Sequence, residues 1–425
     1  MAPAPPKPPR PGAAPPRSKL PLEHSILYTA TLCLLAGGAV MVYSASSAES
    51  LLNGSGDPSY YLKRYLVFGA LGLVLLHVLS RRGLGFVRNA APLLLLVAFA
   101  LTLAVMVPGV GVRINGATRW LAVGPLQFQP SELLKIALVL YAAGLLAAKP
   151  ASVRSLAGLF KPLLLVVGAA CLLLMLQPDL GTAIVICMAM GALLLAAGTP
   201  MRMLALIGGT LSALTLLMIL VEPYRRERLT AFIDPWSDAG DTGFQVVQSM
   251  IAIGSGGLFG VGLGESVQKI FYLPEAHTDM ILAIIGEELG LMGIAGVVAL
   301  YGMIAYAGLR TAKLASDPYH KLLAAGITSL IVCQAALNLF AVMGLAPLTG
   351  VPLPFLSFGN SNLIVFMGGM GLLLNVAARG GRAAARRPAP LRSVGGRDSA
   401  ARGDRRGWDG RARGAGAGHR RRAAG

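Results

Sequence analysis

YLPEAHTDMILAIIGEELG, residues 272–290, holds the transition on which the fold turns. A polar lead-in, Pro274 to Asp279, gives way to an apolar run that continues to about residue 308. Such a run exceeds the roughly 20 residues needed to cross about 30 Å of hydrocarbon. It nevertheless carries Glu287 and Glu288 two turns in. An ionisable residue near the centre of a membrane helix costs about 2.5–3.5 kcal/mol, so it needs a partner, a wet cavity or a task. Glu275, His277 and Asp279 crowd the mouth of the same helix.

The rest of the chain has the same character: 55% of its 425 residues are hydrophobic and 13% charged. That excludes a soluble multidomain protein, and long unbroken runs in place of period-two alternation exclude a barrel. The expected fold class is an all-α integral membrane protein with about ten transmembrane helices. They fall near 25–44, 63–79, 90–107, 131–148, 161–177, 181–198, 202–221, 279–308, 321–345 and 358–378. The first run is followed by YSASSA, whose small residues suit a signal-cleavage site; the length of the run favours a retained span. A membrane domain over 23–380 is then flanked by a Pro-rich basic tail, 1–22, and an Arg/Gly/Ala-rich tail, 381–425. Both are expected to be disordered, because such compositions cannot pack a core.

The net charge of +18 resides in those tails: residues 379–425 hold 14 Arg and three Asp, and residues 1–22 hold four Lys/Arg and no acid. The remainder is close to neutral. Basic tails beside a membrane meet anionic lipid or acidic proteins, and no nucleic-acid partner is expected. Short loops on the side of the termini carry Arg81, Arg82, Lys149, Arg154, Arg310 and Lys313, which makes that side cytoplasmic by the positive-inside rule. The four cysteines lie in apolar runs without C-x-x-C spacing and read as packing residues. The long outer connection, 222–278, contains FQVVQSMIAIG (244–254), an amphipathic helical pattern, followed by the glycine-rich GSGGLFGVGLG. The glycines do not follow G-x-G-x-x-G and no G-K-[ST] occurs, so a nucleotide site is not supported.

Several ionisable residues carry two readings. Glu132 and Lys135 sit at i and i+3 on one helix face, as a structural ion pair or as contacts to a polar ligand. Asp179, in QPDLGT, caps span six or lines a polar cavity. Asp279 is a helix cap or a general base, and partial desolvation at a bilayer boundary would strengthen it as a base. Glu287 and Glu288 point about 100° apart, so one is expected to line a polar interior and the other to pair with a neighbouring helix. His277 has no second His or Cys nearby, which argues against a metal and for a hydrogen-bonding role. Ser357, Asn360, Ser361 and Asn362 follow a proline-rich loop and either cap span ten or wall a polar cavity.

Taken together, NGATRWLAVGPLQFQPSELLK (115–135), QPDLGTA (177–183), RLTAFIDPW (228–236), GFQVVQSMIAIGSGGLFGVGLGESVQKIFYLPEAHTD (243–279) and GLAPLTGVPLPFLS (344–357) resemble the SEDS family (shape, elongation, division and sporulation). The likeness covers about residues 25–380, and SVQKIFYLPEAHTD and IIGEELGLMG are similar to its division branch. The resemblance implies a ten-helix peptidoglycan glycosyltransferase that polymerises lipid II at the outer face of the bacterial plasma membrane. It implies enrichment at the septum and a class B penicillin-binding protein as partner, with other division proteins. The family's essential aspartate falls on Asp279, its Glu/Lys pair on Glu132 and Lys135, and its arginine after N-G-A on Arg119. Where the family commonly reads S-Y-G-G-S-S, this chain reads Ser357-Phe358-Gly359-Asn360-Ser361-Asn362, and Met280 replaces the usual Phe after the aspartate.

The mechanism so implied has Asp279 taking a proton from an acceptor sugar hydroxyl while a polyprenyl pyrophosphate departs. Arg119, Lys135, Arg225, Arg226 and Arg228 are the cations available to that pyrophosphate, with Glu132, His277 and Ser357 beside them and Glu275 and Asn360 in the polar surround. A divalent cation, Mg or Mn, would share the task, although no carboxylate cluster compels one. A lipid II transporter and a non-catalytic division scaffold are the alternatives.

Overall fold

Hydrocarbon offers backbone groups no partners, so each apolar run closes its own i→i−4 ladder and becomes a helix. The computed structural model describes residues 20–385, apart from 53–55, 115–116, 125, 222, 242 and 271. In chain order it contains α1 (Leu22–Leu52), α2 (Tyr60–Arg81) and α3 (Leu84–Ala104). A small sheet follows: β1 (Gly111–Ile114), β2 (Ala117–Val123) and β3 (Leu126–Phe128). Then come α4 (Pro130–Ala148), a 3₁₀ turn at Pro150–Arg154, α5 (Leu156–Leu159), a π turn at Phe160–Leu164 and α6 (Leu165–Leu176). The remainder is α7 (Leu180–Ala196), α8 (Met201–Val221), α9 (Pro223–Ile233), α10 (Phe244–Gly256), α11 (Ile281–Leu314), α12 (Pro318–Val342) and α13 (Asn360–Ala385). Among the described residues, eight helices are long and apolar enough to cross a membrane, and two shorter apolar ones, Pro162–Leu176 and Leu180–Ala196, lie between them.

Several boundaries differ from expectation. The YSASSA segment does not end α1. Ser46 Oγ donates to Val42 O at 2.6 Å, and Ser44, Ser46 and Ser50 are buried, so the polar residues are satisfied inside a longer helix. Span five begins with short irregular turns before α6. α13 runs past the expected edge at 380 to Ala385, whereas tail residues 1–19 and 386–425 lie outside the described residues. The sheet between α3 and α4, antiparallel in order β1-β2-β3, was absent from the helical reading.

The middle of the bundle is α4, α12 and α13, whose residues are mostly buried; α8 lies at the edge with none. Leu214, Leu216, Leu217, Leu220 and Val221 are exposed along α8, as a lipid-facing surface requires. Where oil surrounds the protein, helices associate through close packing of small residues. Gly371 of α13 shows the device: a Cβ there would stand 2.5 Å from Leu76 O of α2.

The glycine-rich segment has a structural task. α11 breaks at Gly290, whose φ is 67°. Across the break the loop supplies the missing bonds: Val261 N donates to Glu287 O at 2.9 Å, Gly262 N to Glu288 O at 3.1 Å and Leu291 N to Gly257 O at 2.9 Å. A Cβ on Gly290 would meet Gly260 N at 2.4 Å, so both the conformation and the contact require glycine.

Candidate active site

Three motifs converge at the end of the bundle opposite residues 20 and 385. Pro130 opens α4 and places Glu132 in its first turn and Lys135 one turn on. Lys135 is fully buried; its Nζ lies 2.9 Å from Glu132 Oε1 and 2.5 Å from Gln334 Oε1 of α12. Glu132 Oε2 accepts from Asn362 Nδ2 of α13 at 2.9 Å. Gln334 Nε2 donates to Pro352 O at 2.8 Å, and one turn along α12 Asn338 Nδ2 donates to Val351 O at 2.8 Å and Asp279 O at 2.7 Å. A buried ion pair is therefore linked, through Gln334, Asn338 and the 350–353 loop between them, to the backbone of Asp279.

Asp279 precedes α11 and is not its cap; Met280 holds that position. The carboxylate is half-buried, with Thr278 Oγ1 3.3 Å from its Oδ1. It faces Gly350, where a Cβ would stand 3.7 Å from Oδ2. The neighbouring Thr349 packs on the start of α7, against Gly181. Asp179 is the N-cap of α7 through Thr182 N at 3.2 Å and is buried, as the capping reading of QPDLGT expects. Arg119, half-buried on β2, donates from Nε to Gln177 O at 3.0 Å and also to Pro178 O, so the sheet delivers a guanidinium to the same turn. Arg119, Pro178, Gly181 and Thr349 line a cavity of about 110 Å³. Leu180, Ile184, Thr215, Ile219 and Leu229 belong both to that cavity and to an apolar groove of about 610 Å³ between α6, α7 and α8.

The other predicted residues are framework or lie elsewhere. His277 is buried between the rings of Tyr61, at 4.3 Å, and Phe358, at 5.6 Å. Its Nδ1 stands 3.3 Å from Glu49 Oε2, an ion-pair contact without hydrogen-bond geometry, and its carbonyl accepts from Phe358 N at 3.0 Å. Ser357 Oγ accepts from Leu353 N at 2.9 Å and closes the proline-rich loop. Lys135 and Ser357 are thus turned inward and hold the site together, because each is buried with its side-chain polar group bonded inside the protein, whereas His277 is held by the rings around it. Asn360 is buried at the start of α13 with no hydrogen-bond partner for its Oδ1 among the described residues. Glu275 is exposed and its Oε2 accepts from Thr278 Oγ1 at 2.7 Å. Arg226 is exposed on α9, and the side chains of Arg225 and Arg228 lie outside the described residues.

Neither α11 glutamate lines an open interior. Glu287 accepts from Ser266 Oγ at 2.5 Å and Val267 N at 3.1 Å; Glu288 takes Ser44 Oγ of α1 at 2.6 Å and pairs with Lys269 Nζ at 2.8 Å. Both fasten the 257–270 loop, which supplies the partners that helical geometry alone did not reveal. Among the described residues no three His, Cys, Asp or Glu side chains converge as a metal site. Sequence reasoning missed Gln334 and Asn338, although their i, i+4 spacing in an apolar run puts two amides on one face.

Fold and site together define a multi-pass helical membrane protein that holds a half-buried carboxylate and a guanidinium beside an apolar groove. The family model described as "Cell cycle protein", which groups FtsW, RodA and SpoVE, matches residues 24–380, and the chain belongs to that family. It is 46% identical over 355 residues to a "Probable peptidoglycan glycosyltransferase FtsW" of Thioalkalivibrio sulfidiphilus, covering 82% of this chain and 88% of that protein. It is 38% identical to "Stage V sporulation protein E" of Bacillus subtilis, covering 83% and 96%. Among solved structures it is similar, with a TM-score of 0.69 and 32% identity over 83% of this chain and 97% of the other, to a chain from "Structural coordination of polymerization and crosslinking by a peptidoglycan synthase complex".

Proposed function

We propose that the chain is a peptidoglycan glycosyltransferase that polymerises lipid II at the outer face of the bacterial plasma membrane during division, with Asp279 as general base. One observation carries the reading. A half-buried carboxylate faces a loop whose next residue, Thr349, lines a cavity with Arg119, and that cavity runs into an apolar groove. A polyprenyl-linked sugar pyrophosphate needs those three environments in that order.

In the reaction Asp279 takes the proton from the 4-hydroxyl of the acceptor N-acetylglucosamine. The oxygen attacks the anomeric carbon of the donor N-acetylmuramic acid, polyprenyl pyrophosphate leaves, and the configuration at that carbon inverts. A positioned base contributes about 10²–10⁴-fold. The leaving group is a weak base, so its charge needs a cation more than a proton, and Arg119 is the described cation nearest the turn. The polyprenyl tail occupies the groove between α6, α7 and α8. Among the described residues the donor set forms no metal cage; a divalent ion would be held mainly by pyrophosphate oxygens. On this reading the termini are cytoplasmic, the protein concentrates at the septum, and a class B penicillin-binding protein crosslinks the product.

The test is reconstitution of the purified chain with labelled lipid II and the partner transpeptidase. Glycan polymer on a gel is the expected result. Lipid movement across the vesicle without polymer would replace the enzyme by a transporter, and neither activity would leave a scaffold.

A further inference from the structure

A second cavity, of about 770 Å³, opens at the opposite end of the molecule, among the first turns of α1 and the last turns of α2 and α13. It is lined by His24, His77, Arg81 and Arg379, and by no carboxylate among the described residues. Leu20, Leu76 and Leu374 give it apolar walls. Tyr61, in the aromatic layer beside His277, is sixteen residues up α2 from His77, about 24 Å along the helix. The cavity is therefore separate from the site at Asp279.

We propose that this cavity binds the phosphate headgroup of an anionic phospholipid. The cations are built in. Asn375 is buried and donates to Leu79 O at 2.9 Å and Arg82 O at 2.6 Å, while its Oδ1 accepts from Arg379 Nε at 2.8 Å. One side chain thus takes up two of the carbonyls at the end of α2, which would otherwise repel an anion, and holds an arginine at the cavity. That bond uses Nε and leaves the terminal fork, the part of arginine that matches a phosphate. Glu23, the nearest acid in sequence, does not cancel the charge, since its Oε1 lies 2.7 Å from Arg310 Nε. The occupant is not the chain's own ends. Residues 1–19 and 386–425 are basic and would bring like charge. A membrane lipid fits because two of the helices that end at the cavity have apolar outer faces: Leu22 and Tyr28 on α1 and Val74 and Val78 on α2 are exposed. Acyl chains can lie along those faces while the headgroup sits among the cations.

The purified full-length chain, stripped of lipid, is mixed with cardiolipin, phosphatidylglycerol, phosphatidylethanolamine or inorganic pyrophosphate, and bound ligand is counted by native mass spectrometry. The wild type is expected to hold the two anionic lipids about tenfold more tightly than phosphatidylethanolamine. Arg81→Gln/Arg379→Gln is expected to weaken them about tenfold. Thr29→Trp, which fills the cavity without changing charge, does the same and carries the test should the double variant aggregate. Lys149→Gln/Arg154→Gln, removing two exposed charges from the same end outside the cavity, leaves binding within twofold. Equal binding of phosphatidylethanolamine, an equal loss in the Lys149/Arg154 control, or an unaffected Thr29→Trp would overturn the site. Pyrophosphate binding as tightly as cardiolipin would overturn the lipid assignment in favour of a free phosphate.

Discussion

Among the described residues two lysine–glutamate pairs are buried, and they differ in what they fasten. Lys135 and Glu132 sit one turn apart on α4 and, through Gln334, Asn338 and Asn362, join four helices or loops to the backbone of Asp279. Lys269 and Glu288 are nineteen residues apart and fix a glycine-rich loop to α11 and α1. In the first pair the lysine has no exposure, and its two side-chain acceptors are Glu132 and Gln334. In the second the lysine keeps 6% exposure, while the glutamates are alike in that each retains one side-chain donor without its lysine, Asn362 for Glu132 and Ser44 for Glu288. The lesson is that a buried charge stripped of its partner is as fragile as its surroundings are closed to water.

The largest effect falls on the pair that is shut off from water. Lys135→Met leaves Glu132 buried and short of its cation, and is expected to cost about 3–5 kcal/mol, read as a fall in melting temperature in detergent. The double variant Glu132→Gln/Lys135→Met should recover part of the loss, and a single variant as stable as the wild type would break the framework role. Lys269→Met should cost less, about 1.5–3 kcal/mol, because water reaches the place of the less enclosed lysine. Hydrogen exchange should quicken across 257–270 and not at 350–353; the reverse pattern would mean the two pairs have been assigned to the wrong loops.

The smallest effect lies outside both pairs. Lys63 and Ser59 hold the Asp57 carboxyl down at about 2 from an ordinary 3.8. Its contribution is fully present above pH 3.8 and is lost as pH falls towards 2. Asp57→Asn should therefore lower stability slightly and evenly above pH 3.8, and its profile should converge with the wild type's as pH falls towards 2. A shift centred near pH 7 would point to another group.

The same contrast shows what could be read in advance. The helices were legible because hydrocarbon leaves an apolar run one option. The α4 pair was legible because i and i+3 share a helix face, and Asp179 because Asp before a helix start is a cap. Lys269 was legible only as one more basic residue, since its partner depends on how a loop folds back on a broken helix. The break itself depends on Gly290, one glycine among many in that region. The strands at 111–128 escaped because hydropathy dominates the reading of a membrane chain, yet they carry Arg119 to the α6–α7 turn. Ser357 reads from sequence as a cap or a cavity wall and His277 as a hydrogen-bonding residue; the closed loop and the Tyr61–Phe358 rings that enclose them are tertiary.

The central claim is that chemistry resides in Asp279 while Lys135, Glu132, Gln334 and Asn338 only hold it. Asp279→Asn is nearly isosteric and keeps an oxygen beside Thr278 Oγ1. The decisive measurement pairs its lipid II polymerisation rate with its melting temperature. The account predicts a rate at least about a hundredfold below wild type at an unchanged melting temperature. A rate within a few-fold of wild type, or a loss of rate matched by an equal loss of stability, would contradict it.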